Sequence, residues 1–212
     1  MPDAEGLALC RLAELTAAAG HDAIVEIGAW CGRSALYMAA GVAAAPPGAP
    51  AAPDPGPGSP TVVISIDHHH GSEENQAGWE HHDPALVDER TGRIDTLPFF
   101  RAAIGDAGAE DLVVAVVGDS ATVARRWGSP VGLVFIDGGH GEAPAWADYR
   151  AWAPKVGLGC ILAIHDVFPD PSDGGRPPYE LYRGAVGSGA FVEEETLGCG
   201  SLRVLRRVAP GL

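Results

Sequence analysis

Four short, mostly apolar runs in this chain stop abruptly on residues that carry chemistry. Residues 25–27 lead into Gly28, residues 64–66 into Asp67 and His68, residues 134–136 into Asp137-Gly138-Gly139-His140, and residues 162–164 into His165-Asp166. A strand buried on both faces of a parallel sheet reads as such a run. In an open α/β sheet, the residues just beyond the strand ends line the crevice where ligands bind. The pattern therefore predicts a sheet that gathers glycines, carboxylates and imidazoles along one edge, which is the layout of an active site.

The 212 residues suit a single domain, 1–212, with a sizeable core. A net charge of −14 argues against a nucleic-acid partner and against an anionic membrane surface, both of which need basic protein. Cys10, Cys31, Cys160 and Cys199 form no C-x-x-C pair and read as reduced thiols of a cytoplasmic protein. No basic start followed by an apolar core suggests a signal peptide, and no apolar run has the length of a membrane span. A homodimer is the default expectation for a soluble oligomer.

Strand and helix patterns alternate along the chain. Helices are expected over 7–19, 33–44, 96–107, 121–127 and 143–152, and strands over 23–27, 61–66, 112–117, 131–136 and 160–164. Residues 45–60, almost wholly Ala, Pro, Gly and Ser, are expected to form a surface loop, because proline removes donors and breaks helices. Two further strands, 191–196 and 201–208, flank Leu197-Gly198-Cys199-Gly200 with no helix between them and read as a hairpin. The expected fold is α/β: one Rossmann-like, doubly wound, mostly parallel sheet closed by a C-terminal antiparallel hairpin.

Glu26-x-Gly28-x-x-x-Gly32 sits between the first strand and its helix, where glycines let the backbone turn tightly and approach a ligand. The spacing is wrong for the dinucleotide fingerprint G-x-G-x-x-G, which lowers the case for a nicotinamide or flavin enzyme. Asp67 ends the second strand, where a carboxylate can accept both hydroxyls of a ribose. Gly118-Asp119-Ser120 ends the third, where an adenine could be held. This arrangement resembles the class I S-adenosylmethionine-dependent methyltransferases over roughly residues 20–208. The resemblance implies S-adenosyl-L-methionine as cofactor, with Glu26, Gly28 and Ser34 near its methionine part, Asp67 on the ribose, Asp119 with Ser120 near the adenine, and Gly32 in the cofactor-binding loop. The Gly-x-x-x-Gly loop is that of the catechol-type and macrolide-sugar O-methyltransferases.

Asp137 ends the fourth strand and His165-Asp166 the fifth. Adjacent strands lie ~4.8 Å apart, so groups from both ends can share a cation, and carboxylates suit Mg2+ or Mn2+. Asp137-Gly138-Gly139-His140 is similar to the Asp-x-x-His segment of metal-dependent sugar O-methyltransferases of the macrolide and actinobacterial polysaccharide type. By that resemblance His140 is the general base, and Asp137 and Asp166 are metal ligands. His165 stands where those relatives carry an acid; it is either a third ligand or part of the pocket wall.

Residues 68–93 begin with a polar stretch, 68–83, that holds five of the eight histidines and follows directly on Asp67. The segment reads as a lid or substrate-binding segment for a polyhydroxylated acceptor. His70, Glu73, Glu74 and Gln76 are its candidate contacts, and Trp79 could stack on a sugar ring. Arg176 and Tyr179 are candidates for the opposite wall. The expected activity is divalent-metal-assisted O-methylation of a sugar hydroxyl in a glycoside or oligosaccharide. A catechol or phenol acceptor is the rival enzyme reading, and a non-catalytic cofactor- or metal-binding module is the rival from another class.

Overall fold

The computed structural model describes residues 1–46, 61–79, 82–139, 141–170, 172–173 and 176–211. Helix α1 (Asp3–Ala18) leads into strand β1 (Ala23–Ile27), helix α2 (Arg33–Ala44) and strand β2 (Val62–Asp67). A two-stranded ribbon, β3 (Val87–Asp88) and β4 (Arg93–Ile94), precedes helix α3 (Leu97–Asp106) and strand β5 (Val113–Val117). Then come helix α4 (Ser120–Ala124), strand β6 (Val131–Ile136), helix α5 (Glu142–Trp152), strand β7 (Val156–Ile164), helix α6 (Pro177–Gly187), and strands β8 (Phe191–Glu193) and β9 (Arg203–Arg207).

The main sheet runs β5-β2-β1-β6-β7-β9-β8. Its first five strands are parallel, while β9 lies antiparallel to both β7 and β8. The chain winds outward from β1 to β5 and then returns to place β6 on the other side of β1. The direction of winding therefore reverses between β1 and β6. Such a reversal splays the following connections apart and opens the ligand crevice of a doubly wound sheet.

Alternation along the central strands divides the core in two. Ile24, Leu133 and Phe135 face one cluster with α1 and α2 residues such as Leu9, Leu12 and Met38. Val25, Ile27, Val134 and Ile136 face another with Tyr149 and Trp152 of α5 and Leu181 of α6. All six residues of β6 are buried, as a central parallel strand requires. Helices α1 and α2 approach closely because Gly41 lies on the Cys10 carbonyl, where any side chain would overlap it.

The expected strands 23–27 and 131–136 and the expected helix 33–44 have the bounds predicted for them. The C-terminal strands are shorter than expected, and β9 inserts between β7 and β8. Strand β7 starts four residues earlier than expected, at Val156, and the ladder with β6 shifts register between Val131 and Leu133. Helix α6 has no bounds in the expected pattern; it opens on Pro177 and Pro178, which fit a first helical turn that has no use for their missing N–H groups. Of the expected loop 45–60, residues 47–60 lie outside the described residues. The four cysteines are free thiols. Among the described residues, no helix is long and apolar enough to cross a membrane.

Candidate active site

Backbone strain gathers at the carboxyl edge of the sheet. Among the described residues, the non-glycine residues with positive φ are Trp30 (47°), His69 (61°) and Asp166 (55°), just past the ends of β1, β2 and β7. Each such conformation costs on the order of 1–3 kcal/mol, and it persists only where the surroundings enforce it.

The turn after β1 shows what enforces the first two. Gly28 has φ 85° and donates its N–H to the Ile66 carbonyl at 3.0 Å. A Cβ at Gly28 would overlap the Asp137 carbonyl, so the ends of β1 and β6 touch there. Gly32, at φ 92°, lies against the Phe100 ring, 3.1 Å from where its Cβ would be. Asp67 Oδ2 accepts the amides of Ala29 and Trp30, both at 2.9 Å, and Oδ1 accepts the His69 amide at 2.7 Å. The expected ribose ligand thus also fastens the glycine turn. A carboxylate offers about four acceptor positions, so three amides still leave room for a hydroxyl.

Glu26, on the Ile24 side of β1, is fully buried. Its carboxylate accepts the Ser34 hydroxyl from α2 and, at 2.5 Å, the Ser65 hydroxyl from β2. Burial raises its pKa from 4.5 to about 7; the two hydroxyls oppose the rise, and the negative charges of Asp137 and Asp67 add to it. The folded chain therefore holds this proton through a pH range in which the unfolded chain has released it, and stability falls as pH rises from 4.5 to about 7. The whole loss is about 3 kcal/mol. Glu26→Gln carries no such titration. Urea denaturation at pH 5 and pH 8 should find the variant gaining about 2–3 kcal/mol on the parent at the higher pH; an equal difference at both would refute the buried-proton account.

Asp119 caps α4, accepting the Thr122 amide at 2.7 Å and the Thr122 hydroxyl at 2.5 Å. Ser120 donates to Asp148 of α5, a residue that the sequence pattern did not single out. Burial raises the Asp148 pKa to about 6, against the Ser120 hydrogen bond, with the nearby Asp119 charge adding to the rise. Asp148 also closes on Gly138, which has no room for a side chain on that side.

Asp137, His165 and Asp166 come together at the ends of β6 and β7, each offering a donor atom within 4.8 Å of the others'. The strand ends are held in line by Asp137 N–H to Ile27 O at 2.9 Å and His165 N–H to Ile136 O at 3.1 Å. His165 is buried. Its Nδ1 lies 3.0 Å from Asp137 Oδ1 and 3.2 Å from Asp166 Oδ2, and has no aligned hydrogen-bond partner among the described residues. These spacings suit neighbouring vertices of an octahedron, whose edge is about 3.0 Å when the bonds are about 2.1 Å. A buried nitrogen without a hydrogen bond, flanked by two carboxylates, fits a divalent cation. Without one, burial opposes charging His165, but the adjacent carboxylates of Asp137 and Asp166 prevail and raise its pKa to about 11. His165 Nε2 meets Glu5 Oε2 of α1 at 2.9 Å. Glu5 also escaped the sequence reading; its signal was an acid four residues before Leu9, on the buried face of α1. His140, the expected base, lies outside the described residues, although Gly138 and Gly139 before it are described.

The His-rich segment folds largely on itself. His69 is buried, with Nδ1 2.7 Å from the Thr96 hydroxyl, and His70 Nδ1 lies 3.0 Å from the Ile94 carbonyl. Gln76 spends its amide on the His70 and Ser72 carbonyls, at 3.0 and 2.9 Å. Glu73 and Glu74 lie on a 3-10 turn, Glu73–Asn75, where Glu74 accepts the Ser72 hydroxyl at 3.0 Å. Trp79 is 54% exposed, which leaves its ring open for stacking. Ser72 packs against Gly139, so the segment reaches the loop that follows β6. On the far side, Arg176 pairs with Glu180 at 2.6 Å. Tyr179 lines an open groove of about 770 Å³ with Val167, Pro169, Tyr182 and Arg203.

Residues 25–167, two thirds of the chain, match the model of a methyltransferase domain. Among solved structures, the chain is similar to the O-methyltransferase TomG of Streptomyces achromogenes, involved in tomaymycin synthesis and solved with S-adenosylmethionine, at 15% identity and TM-score 0.60, over 99% of this chain and 82% of that one. It is likewise similar to an O-methyltransferase of Bacillus cereus solved with S-adenosylhomocysteine, at 16% identity and TM-score 0.59, over 99% and 82% of the two chains. CalS11, a TDP-rhamnose 3′-O-methyltransferase of calicheamicin biosynthesis, aligns at 17% identity and TM-score 0.63, over 94% and 78%. With the family's domain matched from the first strand to the end of the fifth parallel one, the chain belongs to the methyltransferase-domain family and has the class I, S-adenosylmethionine-type fold.

Proposed function

We propose that the chain is an S-adenosylmethionine-dependent, divalent-metal-assisted O-methyltransferase that acts on a sugar hydroxyl of a glycoside or oligosaccharide, such as a precursor of a methylated polysaccharide. The observation that carries this reading is the Asp137, His165 and Asp166 cluster beside the Gly28 turn. S-adenosylmethionine supplies a methyl group already activated as a sulfonium, so the chain has to bind, orient and deprotonate. The turn from Gly28 to Gly32, Asp67 and Asp119 bind the cofactor in this reading. The carboxylates along the sheet edge provide the negative field that favours a cationic ligand. Asp137, His165 and Asp166 hold Mg2+ or Mn2+, which lowers the pKa of an acceptor hydroxyl. The His140 imidazole takes the acceptor's proton.

The sugar reading draws on the polar segment that reaches Gly139 and on the similarity to CalS11, whose own substrate is TDP-rhamnose. His70, Glu73, Glu74, Gln76, Trp79, Arg176 and Tyr179 are its proposed acceptor contacts, with residues 68–93 as the lid. A cytoplasmic homodimer belongs to the same reading. The test is transfer of a labelled methyl group from S-adenosylmethionine to a panel of nucleotide sugars, oligosaccharides and catechols, with Mg2+, with Mn2+ and with chelator. Chelator-sensitive labelling of a sugar is expected. Labelling of catechols alone would replace the acceptor, and labelling that survives chelator would remove the metal from the reaction.

A further inference from the structure

Glu5 stands two residues into α1, far in sequence from the strand ends, yet it is 3% exposed and reaches the cluster. Its two oxygens have separate tasks. Oε2 faces His165 Nε2 at 2.9 Å, while Oε1 accepts the Ser201 amide at 2.5 Å and the Ser201 hydroxyl at 2.9 Å. Gly200, at φ 56°, makes room for it, since a Cβ there would overlap Oε1. The Ser201 carbonyl in turn accepts the amide of Val167, the residue after Asp166, at 3.0 Å. One buried carboxylate is therefore tied to His165 directly and to the backbone behind Asp166 through Ser201.

A carboxylate on Nε2 favours one orientation and one tautomer of a metal-bound imidazole. With a cation held between Asp137 and Asp166, the proton would sit on Nε2, facing Glu5, and the lone pair on Nδ1 would face the metal. Metal-binding histidines are commonly held in this way, with the outer partner fixing tautomer and ring orientation and strengthening the ligand. We propose that Glu5 is the positioning residue of the metal centre: it presents His165 Nδ1 as a neutral nitrogen donor and so biases the site toward a cation that accepts nitrogen, Mn2+, Co2+ or Zn2+, over Mg2+. This inference rests on the proposed metal reading of the Asp137, His165 and Asp166 cluster.

The experiment is titration of chelator-stripped, full-length protein with Mn2+, followed by the electron paramagnetic resonance signal of free Mn2+, with Mg2+ as competitor. The wild type should bind one Mn2+ at least 10-fold tighter than Mg2+. Glu5→Ala should weaken Mn2+ binding 10- to 100-fold. Glu5→Gln keeps one acceptor oxygen, for which His165 Nε2 and the Ser201 amide compete, and should bind Mn2+ more tightly than Glu5→Ala and more weakly than the wild type. Ser201→Ala removes a hydroxyl from the other Glu5 oxygen without touching His165, and should change Mn2+ affinity less than 3-fold. In the Zn2+-loaded, 15N-histidine-labelled wild type, long-range proton–nitrogen spectra should show His165 protonated on Nε2 only. If Glu5→Ala is unfolded, the tautomer and Glu5→Gln measurements decide. Wild-type Mn2+ affinity in a folded Glu5→Ala protein, or a proton on His165 Nδ1 in the Zn2+ form, overturns the role of Glu5 alone. A wild type that binds no divalent cation overturns the metal reading and this inference with it.

Discussion

Replacing Gly28 with alanine is expected to lower S-adenosylmethionine affinity at least 100-fold and to destabilise the fold by about 2–5 kcal/mol. Two costs combine. A side chain at φ 85° is disfavoured by roughly 1–2 kcal/mol. The added methyl would also overlap the Asp137 carbonyl, and overpacking of this kind costs about 1–3 kcal/mol. Relief requires the ends of β1 and β6 to part, which moves the amides of Ala29 and Trp30 away from Asp67. Gly105→Ala is the control: that helical glycine has open space around it, and alanine there should be neutral or stabilising by about 0.5–1 kcal/mol. Calorimetric binding and thermal melting of both variants check the result. Wild-type cofactor affinity in Gly28→Ala would mean that the turn does not touch the ligand.

His140→Ala is expected to lower the turnover number by about 10²–10⁴, the usual contribution of a positioned general base, with cofactor affinity unchanged. In the proposed reaction the acceptor hydroxyl has to lose its proton as the new carbon–oxygen bond forms, and His140 follows Asp137-Gly138-Gly139 directly. Single-turnover methyl transfer at saturating cofactor and metal separates this loss from a binding defect. A rate within 3-fold of the parent would remove His140 from the proton transfer and leave the fold and family untouched.

Strong local patterns made the sheet legible. The strands β1 and β6 are largely apolar runs, β1 interrupted by Glu26, that stop at Gly28 and Asp137, and no helical period competes with them. The ribbon of β3 and β4 has two residues per strand, too few for any periodicity to register. The bounds of helix α6 were blurred by Pro177 and Pro178, which punctuate loops more often than they open helices.

At the site, residues just past strand ends could be read because their place follows from topology: Gly28, Asp67, Asp137, His165 and Asp166 all lie on one edge. Asp67 shows the limit of that reading. Its position suggested a ribose contact, but the three backbone amides that it accepts depend on the strained conformations of Trp30 and His69, which no pattern encodes. Glu5 and Asp148 come to the edge from helices through tertiary packing, so only their burial within helical faces hinted at a role. Gln76 was legible as polar and near the site, while its two bonds to its own segment's carbonyls were not.

The central claim is that the edge from Gly28 to Asp119 binds S-adenosylmethionine. Isothermal titration of the protein with S-adenosylmethionine, in the presence of Mn2+, tests it most directly. The account predicts saturable one-to-one binding in the wild type that Gly28→Ala weakens at least 100-fold. A folded wild-type protein that gives no binding would contradict it, and the assignment of the glycine turn and Asp67 would fall with it.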